Sequence, residues 1–309
     1  MVDILIPTYN RSNTIINSIE SALAQKKIKV NVHVIDNNSS DSTLSLIKEK
    51  FIKCENLFIH EFNTTVPMID NWNRCLEFIS FNYFKFLFSD DLLSPDFTWK
   101  CLEIMESNSN IDLIATDLNY FDTNENNILK IRKYNTKGYH IGGSVVFRSL
   151  LSRNNISAPS NSLIRSLSID NIKFIDNRVA SDWIFFSSIL IKNKNKNNYF
   201  YLEEPLSYFR TTGDTETNQL KMSSLWVSDN YKARIHMSKP FNWFKKQIIK
   251  VFTLLYCSIV LSVIRKQSLI EFEKSKIFLK NNSILFNPIF YFINSIMKIK
   301  IVENYFLNK

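Results

Sequence analysis

The chain has 309 residues, is 45% hydrophobic, and carries 38 Lys/Arg against 29 Asp/Glu, a net charge of +9. That length fits one large or two small domains with a substantial core. Residues 240–309 hold eleven Lys/Arg against three Asp/Glu, so eight of the nine net positive charges lie there. The first 239 residues are close to neutral, which excludes a uniformly basic nucleic-acid binder and sets the last seventy apart as a basic, apolar module.

Residues 3–7 read as a buried strand that runs into the polar Thr8-Tyr9-Asn10. The N-terminus enters this strand directly, without a basic and then apolar leader, so export is not expected. Ser12 is an expected N-cap, with Ile15, Ile16, Ile19, Ala22 and Leu23 at helical spacing behind it. Residues 30–35 form a second strand ending in Asp36-Asn37-Asn38-Ser39, and Asp41 caps the helix that follows. A third strand is expected at 57–62 and a helix over 68–81. Residues 83–88 form a fourth strand, ending in Ser89-Asp90-Asp91. Ser94 and Pro95 mark the next helix start, and 111–121 a further strand. This alternation predicts a mostly parallel, Rossmann-like sheet flanked by helices, with polar residues gathered where its strands end. Two adjacent carboxylates at such an end suit a divalent cation held against phosphate oxygens.

From 122 to 140 the pattern dissolves into Asn, Lys and Thr, and a loop or irregular hairpin is expected. Gly142-Gly143 precedes a helix, 161–165 is a short strand, 183–191 a helix behind Asp182, and 199–202 a strand. Four cysteines lack any CxxC spacing and four histidines are isolated, so neither a zinc site nor a disulfide framework is predicted.

Residues 248–264 contain one charge, Lys250, between basic flanks. They are at the short limit for a bilayer span. A helix lying in the interface of an anionic membrane fits the charges best; a helical extension packed on the rest of the chain or on a partner subunit, and a true span, are the alternatives. Residues 283–297 form a second apolar stretch.

The ordered set Pro7-Thr8-Tyr9-Asn10, Asp36 to Asp41, Asn71-Trp72-Asn73, Ser89-Asp90-Asp91, Asp182-Trp183 and Pro205 to Arg210 resembles the family 2, GT-A-fold glycosyltransferases of bacterial surface-polysaccharide assembly. The resemblance covers about residues 1–215. It implies a GT-A catalytic domain over 1–220 and a basic helical C-terminal region over 221–309. By resemblance, Asp91 ligates Mn²⁺ or Mg²⁺, and Asp90 contacts the ribose or the metal shell. The position before Ser89, often acidic in the family, is Phe88. Pro7, Thr8, Tyr9 and Asp36 are nucleotide candidates: Tyr9 stacks on a pyrimidine, and Asp36 accepts from a base N–H or the ribose. Their alternative is a polar turn. Asn73 falls near the nucleotide in the family, although Pro67 stands where some members carry a basic residue. Asp182 matches the family's base, with Ser181 replacing the usual Glu, and Trp183 is either a sugar platform for the acceptor or core. Arg210 faces the active site and pairs with the diphosphate or a carboxylate, and the loop Thr211 to Asn218 orders over bound donor or is plain surface.

The implied activity is metal-dependent, inverting transfer from a nucleotide sugar, UDP-linked by preference, to a lipid-linked or cell-surface glycan. The implied location is cytoplasmic, peripheral on the inner face of the cell membrane. A catalytically silent subunit of a polysaccharide-assembly complex is the rival from another class. A nucleotidyltransferase is disfavoured, because Asn10-Arg11-Ser12 is no glycine-rich phosphate loop.

Overall fold

The computed structural model describes residues 1–122, 127–211, 220 and 223–296. The polar loop expected over 211–218 therefore lies, apart from Thr211, outside the described residues. The backbone divides into two compact units. The first comprises Met1–Val146, Asn155–Asp176 and Asp182–Thr212; the second comprises Phe147–Asn154, Asn177–Ser181 and Gly213–Lys309.

The first unit is built on one sheet. Its strands are β1 (Val2–Thr8), β2 (Val30–Asp36), β3 (Leu57–Glu61), β4 (Tyr83–Phe86), β5 (Leu92–Leu93), β6 (Leu113–Asp122), β7 (Asn127–Arg132), β8 (Gly138–His140), β9 (Ser162–Arg165) and β10 (Tyr199–Arg210). The order is β3-β2-β1-β4-β9-β6-β10-β5, with β7 on β6 and β8 on β10. From β3 to β4 every pairing is parallel. β9 then runs antiparallel between β4 and β6, and β6 and β10 pair in parallel. The sheet is thus a parallel, Rossmann-like half joined to a mixed half.

Parallel strands are covered on both faces, so they read as continuous apolar runs. Every residue of β1 is buried. The covering helices are α1 (Ile15–Leu23), α2 (Thr43–Lys50), α3 (Met68–Cys75) and α4 (Phe97–Ser107). Ile15, Ile19 and Ala22 of α1 pack with Val2, Ile4, Val32 and Phe97 in the core. Two expected caps sit elsewhere. α1 begins after Thr14, not Ser12, and α4 begins after Asp96, with the Ser94 carbonyl accepting the Phe97 amide at 3.0 Å.

Helix α5 spans Gly142–Leu151 and α6 spans Ser181–Lys192. The Gly142-Gly143 pair at the start of α5 has a steric cause. A Cβ on Gly142 would lie 2.1 Å from the Asn198 side-chain oxygen, and one on Gly143 would lie 2.6 Å from the Lys194 carbonyl. With only 4 glycines in the chain, the left-handed positions fall mostly to asparagine: Asn10, Asn38 and Asn171 have φ of 51, 63 and 59°. Asparagine is among the few residues that tolerate this region.

The second unit is helical. It contains α7 (Ser224–Ser238), α8 (Trp243–Gln267), α9 (Leu269–Asn282) and α10 (Phe286–Ile296). Ser223, Asn242 and Ser268 each cap a helix by accepting an amide of its first turn. Val227 and Tyr231 of α7 share a core with Leu254, Cys257, Leu261 and Ile264 of α8, Phe272 and Leu279 of α9, and Phe286 and Phe290 of α10. Arg234, fully buried, donates to the Leu150 and Ser152 carbonyls at 2.5 and 2.6 Å and stacks on Tyr256.

The apolar stretch 248–264 is therefore the centre of a bundle, not a lone helix laid on a surface. Among the described residues α8 alone is long and apolar enough to span a bilayer, and 56% of its most apolar window is buried inside the protein. Exposed apolar side chains remain on it at Trp243, Phe244, Val251 and Phe252.

Candidate active site

The sheet's first half delivers two loops side by side. Thr8 at the end of β1 pairs with Asp36 at the end of β2. The Asn10 amide donates to the Ser39 hydroxyl at 2.9 Å, and the Asn10 side-chain oxygen accepts the Ser40 amide at 2.9 Å. Asp41 accepts the Thr43 amide at 3.0 Å and the Ser12 amide at 3.2 Å, so it joins the loops as well as starting α2. Against its slight burial, the Thr43 hydroxyl, which donates to it at 2.5 Å, and these two amides hold its carboxyl down to about 2.

Tyr9 is 45% exposed and presents an aromatic face at this edge. Pro7 and Thr8 are buried, and the Thr8 hydroxyl has no hydrogen-bond partner. Asp36 has no exposed surface; both its oxygens accept from Ser39, at 2.8 and 2.5 Å. It shapes the loop and is not open to a base, so the polar-turn reading describes it. Asn73 is half-buried; its side-chain amide donates to the Phe174 carbonyl at 3.0 Å and accepts the Phe174 amide at 2.9 Å, a clip between α3 and the segment around Phe174.

The acidic pair follows β4, in a turn held from several sides. The Thr14 hydroxyl donates to the Ser89 carbonyl and the Ser18 hydroxyl to the Asp91 carbonyl, both at 2.8 Å. Helix α1 thereby fixes the turn. Asp91 is 1% exposed and accepts from the Ser160 hydroxyl at 2.5 Å and the Arg210 amide at 3.2 Å. The Ser160 carbonyl in turn accepts from buried Lys85 at 2.7 Å, whose ammonium sits 3.9 Å above the Phe97 ring. Burial drives Lys85 below its usual range. Burial and the neighbouring Asp90 drive Asp91 well above the usual carboxylate range. Asp90 is only half-buried. Arg210, at the end of β10, donates its Nε to the Asp90 carbonyl at 2.9 Å and stacks on Phe121.

Asp182 lies in the first turn of α6, half-buried, accepting the Trp183 amide at 2.7 Å. Burial raises its carboxyl to about 6, against the pull of that amide and of Arg132. Trp183 is 3% exposed. A sugar platform needs an accessible ring face, so Trp183 is core.

Lys130, Arg132 and Tyr134 lie in the stretch that shows no clear pattern in sequence. Tyr120 on β6 pairs with Lys130 on β7. Lys130 lies over the Tyr120 ring at 4.8 Å, and Arg132 donates to the Tyr120 hydroxyl at 3.4 Å. Arg132 also stacks on Tyr134 at 4.4 Å. No alternation marks them in sequence, because Lys133 breaks the polar–apolar period that Lys130-Ile131-Arg132 begins.

A parallel half-sheet ending in two joined loops, an acidic turn at the sheet's centre and a separate carboxylate at a helix start define the GT-A class. The sequence model of glycosyl transferase family 2 matches residues 3–170, and the chain belongs to that family. Chondroitin synthase of Escherichia coli is 31% identical over 119 residues, 38% of this chain and 17% of that protein. An uncharacterized glycosyltransferase of Rickettsia conorii is 26% identical over 300 residues, 92% of this chain and 44% of the relative. The chain thus spans less than half the length of these curated relatives. The crystal structure of S. aureus TarS 1–349 with UDP-GlcNAc superposes with a TM-score of 0.63 at 17% identity, covering 82% of this chain and 71% of that one. A mannosyltransferase of Pyrobaculum calidifontis, in complex with GDP-Man and Mn²⁺, gives 0.58 at 11% identity, covering 95% and 83%. At these identities the likeness is one of fold.

Proposed function

We propose that the chain transfers a sugar from a UDP-sugar to a hydroxyl of a lipid-linked or cell-surface glycan, by metal-dependent inversion. The observation that carries this is the pairing, in one unit, of a fixed carboxylate turn, Asp90-Asp91, with a separate half-buried carboxylate, Asp182. The first suits the leaving group and the second suits the nucleophile.

Among the described residues no group of three His, Cys, Asp or Glu is placed to hold a metal. Two carboxylates are available, and a Mg²⁺-like ion is commonly held by one or two carboxylates together with substrate phosphates. The buried Asp91 beside a second carboxylate also favours a nearby cation. Asp90 and Asp91 therefore fit a divalent ion completed by the donor's diphosphate. Such an ion neutralises the charge that builds on the departing diphosphate.

The nucleotide extends along the ends of β1 and β2, with Tyr9 against its base. Arg210 adds positive charge beside the acidic turn. Asp182 takes the proton from the acceptor hydroxyl as its oxygen bonds to the sugar's anomeric carbon and the bond to phosphate breaks. One base suffices for this direct displacement. The basic, apolar second unit supports a peripheral place on the cytoplasmic face of the membrane.

The test is UDP release from a panel of UDP-sugars, with Mn²⁺, Mg²⁺ or EDTA. Release that needs metal supports the reading. Tight donor binding with no release from any donor, even with glycolipid acceptors, would identify a silent binding subunit instead.

A further inference from the structure

The carboxylate of Asp182 accepts the amide of its own neighbour, Trp183, at 2.7 Å. Its place is therefore set by the backbone of the helix start, and one buried residue governs that start. Asn177 is 6% exposed. Its side-chain oxygen accepts the Ala180 amide at 2.8 Å, and its carbonyl accepts the Ser181 amide at 3.1 Å. This is the arrangement of a helix N-cap: the side chain takes an amide of the first turn while the carbonyl takes the first helical bond. Asn177 thus caps the turn 178–180 that runs into α6. Serine or aspartate would cap equally well, but asparagine adds a donor. The Asn177 side-chain amide donates to the Asp229 carbonyl of α7 at 3.1 Å. Val227 and Tyr231, on either side of Asp229, are packed in the helical core, so the cap is anchored on a fixed helix. These groups all lie within the helical unit, and Asp182 is the residue after Ser181.

We propose that Asn177 is a positioning residue for the base: by capping α6 and anchoring that cap on α7, it fixes the turn that carries Asp182 and so the reach of its carboxylate to the acceptor hydroxyl. This rests on the reading above, in which Asp182 takes the acceptor's proton. A base must stand within about 2.6–3.2 Å of the atom whose proton it takes. A displacement of about 1 Å, even one caused far from the chemistry, lowers the rate by up to ~10²-fold. A cap with no such task contributes to stability alone.

The experiment compares Asn177→Ala, Asn177→Gly and Asn177→Ser in the full chain, with Ser268→Ala, which removes the cap of α9, as a control for lost stability. Each is assayed for kcat and donor KM with a UDP-sugar that the wild type turns over, for the pH profile of kcat, for UDP affinity by calorimetric titration and for thermal midpoint. Asn177→Ala should lower kcat about tenfold or more, with donor KM and UDP affinity unchanged. The acidic limb of its kcat profile should move to lower pH. A loosened turn admits water to a carboxyl that burial holds up, while the pull of Arg132 on it is unaltered. Asn177→Gly is the milder change at a cap and removes the same two side-chain bonds, so it should show the same fall even where the alanine variant does not fold. Asn177→Ser restores a capping oxygen and should recover most of kcat. Ser268→Ala should lower the thermal midpoint and leave kcat alone. Wild-type kcat in the alanine or glycine variant, with only the midpoint lowered, overturns the inference and leaves the donor reading in place; so does a serine variant as slow as the glycine one. A wild-type protein that releases UDP from no donor overturns the donor reading, and this inference with it.

Discussion

Asp182 is the residue whose environment says most about its chemistry. A carboxylate in the first turn of a helix is favoured in its charged form by the helix dipole and by the Trp183 amide it accepts. Burial opposes both and prevails, leaving the group near 6. A base works only when deprotonated, so turnover should rise as pH climbs through about 6 and level off above it. Replacing Arg132 by Gln removes a charge that pulls Asp182 down, so the acidic limb of the kcat profile should move to higher pH. An unmoved limb would separate Arg132 from the base. Asp182→Asn should lower kcat by ~10²-fold or more, the low end for a general base, with donor affinity unchanged in titration. Asp91→Asn tests the other end of the site. Asparagine keeps an acceptor for the Arg210 amide and removes a buried charge, so the fold should survive. Metal-dependent UDP release should vanish across a Mn²⁺ titration; wild-type rates would sink the assignment.

At the scale of elements, the parallel half of the sheet was legible because its strands are buried on both faces, and apolar runs such as Ile4-Leu5-Ile6 or Phe86-Leu87-Phe88 record that burial. The mixed half was not. β7 and the second half of β10 carry Lys, Arg, Glu and Tyr in a strand setting, and their pairing with β6 is long-range information that no local pattern contains. Helices α7 and α9 were hidden for a related reason. Their polar faces hold Lys, Glu, Asn and Ser, and only a few positions, such as Val227 and Phe272, enter the core. Site residues followed the same rule. Asp90, Asp91, Asp182, Tyr9 and Arg210 stand at element ends where polar residues are conspicuous, whereas Arg132, which pulls on Asp182, lies on β7 and takes its place only when β7 pairs with β6. Asn73, to which the resemblance gives a ligand role, also joins α3 to the segment around Phe174. Asn73→Ala removes both bonds of that clip. It should cost about 1–3 kcal/mol in urea unfolding and leave UDP affinity unchanged; a selective loss of nucleotide binding would support the ligand role.

For the whole molecule, the decisive asymmetry is that the polar chemistry lies in one unit and the net charge in the other. Deleting residues 240–309 would be a poor test of membrane attachment, since Val227 and Tyr231 of α7 would lose their core partners on α8 to α10. Surface substitutions are cleaner. Trp243 and Phe244 are 72% and 66% exposed, and the exposed Val251 and Phe252 lie about two turns further along α8. Lys245, Lys246, Arg265 and Lys266 lie within the same helix, at the two ends of its apolar stretch. Each basic residue near an anionic leaflet contributes about 1 kcal/mol, a share that salt screens. Burying a Trp or Phe side chain contributes a further ~1.5–3 kcal/mol that salt does not screen. The full chain should therefore co-sediment with phosphatidylglycerol-containing vesicles, weaken in high salt, and retain a residual salt-resistant fraction. Changing Trp243, Phe244, Val251 and Phe252 together to Ser should abolish that residual fraction and weaken low-salt binding by more than tenfold. UDP affinity and the thermal midpoint should stay unchanged, because none of the four belongs to a core. Sedimentation that is indifferent to the four substitutions would place any membrane contact elsewhere on the chain. Failure of the wild-type protein to sediment at low salt would remove the membrane surface from the proposal altogether.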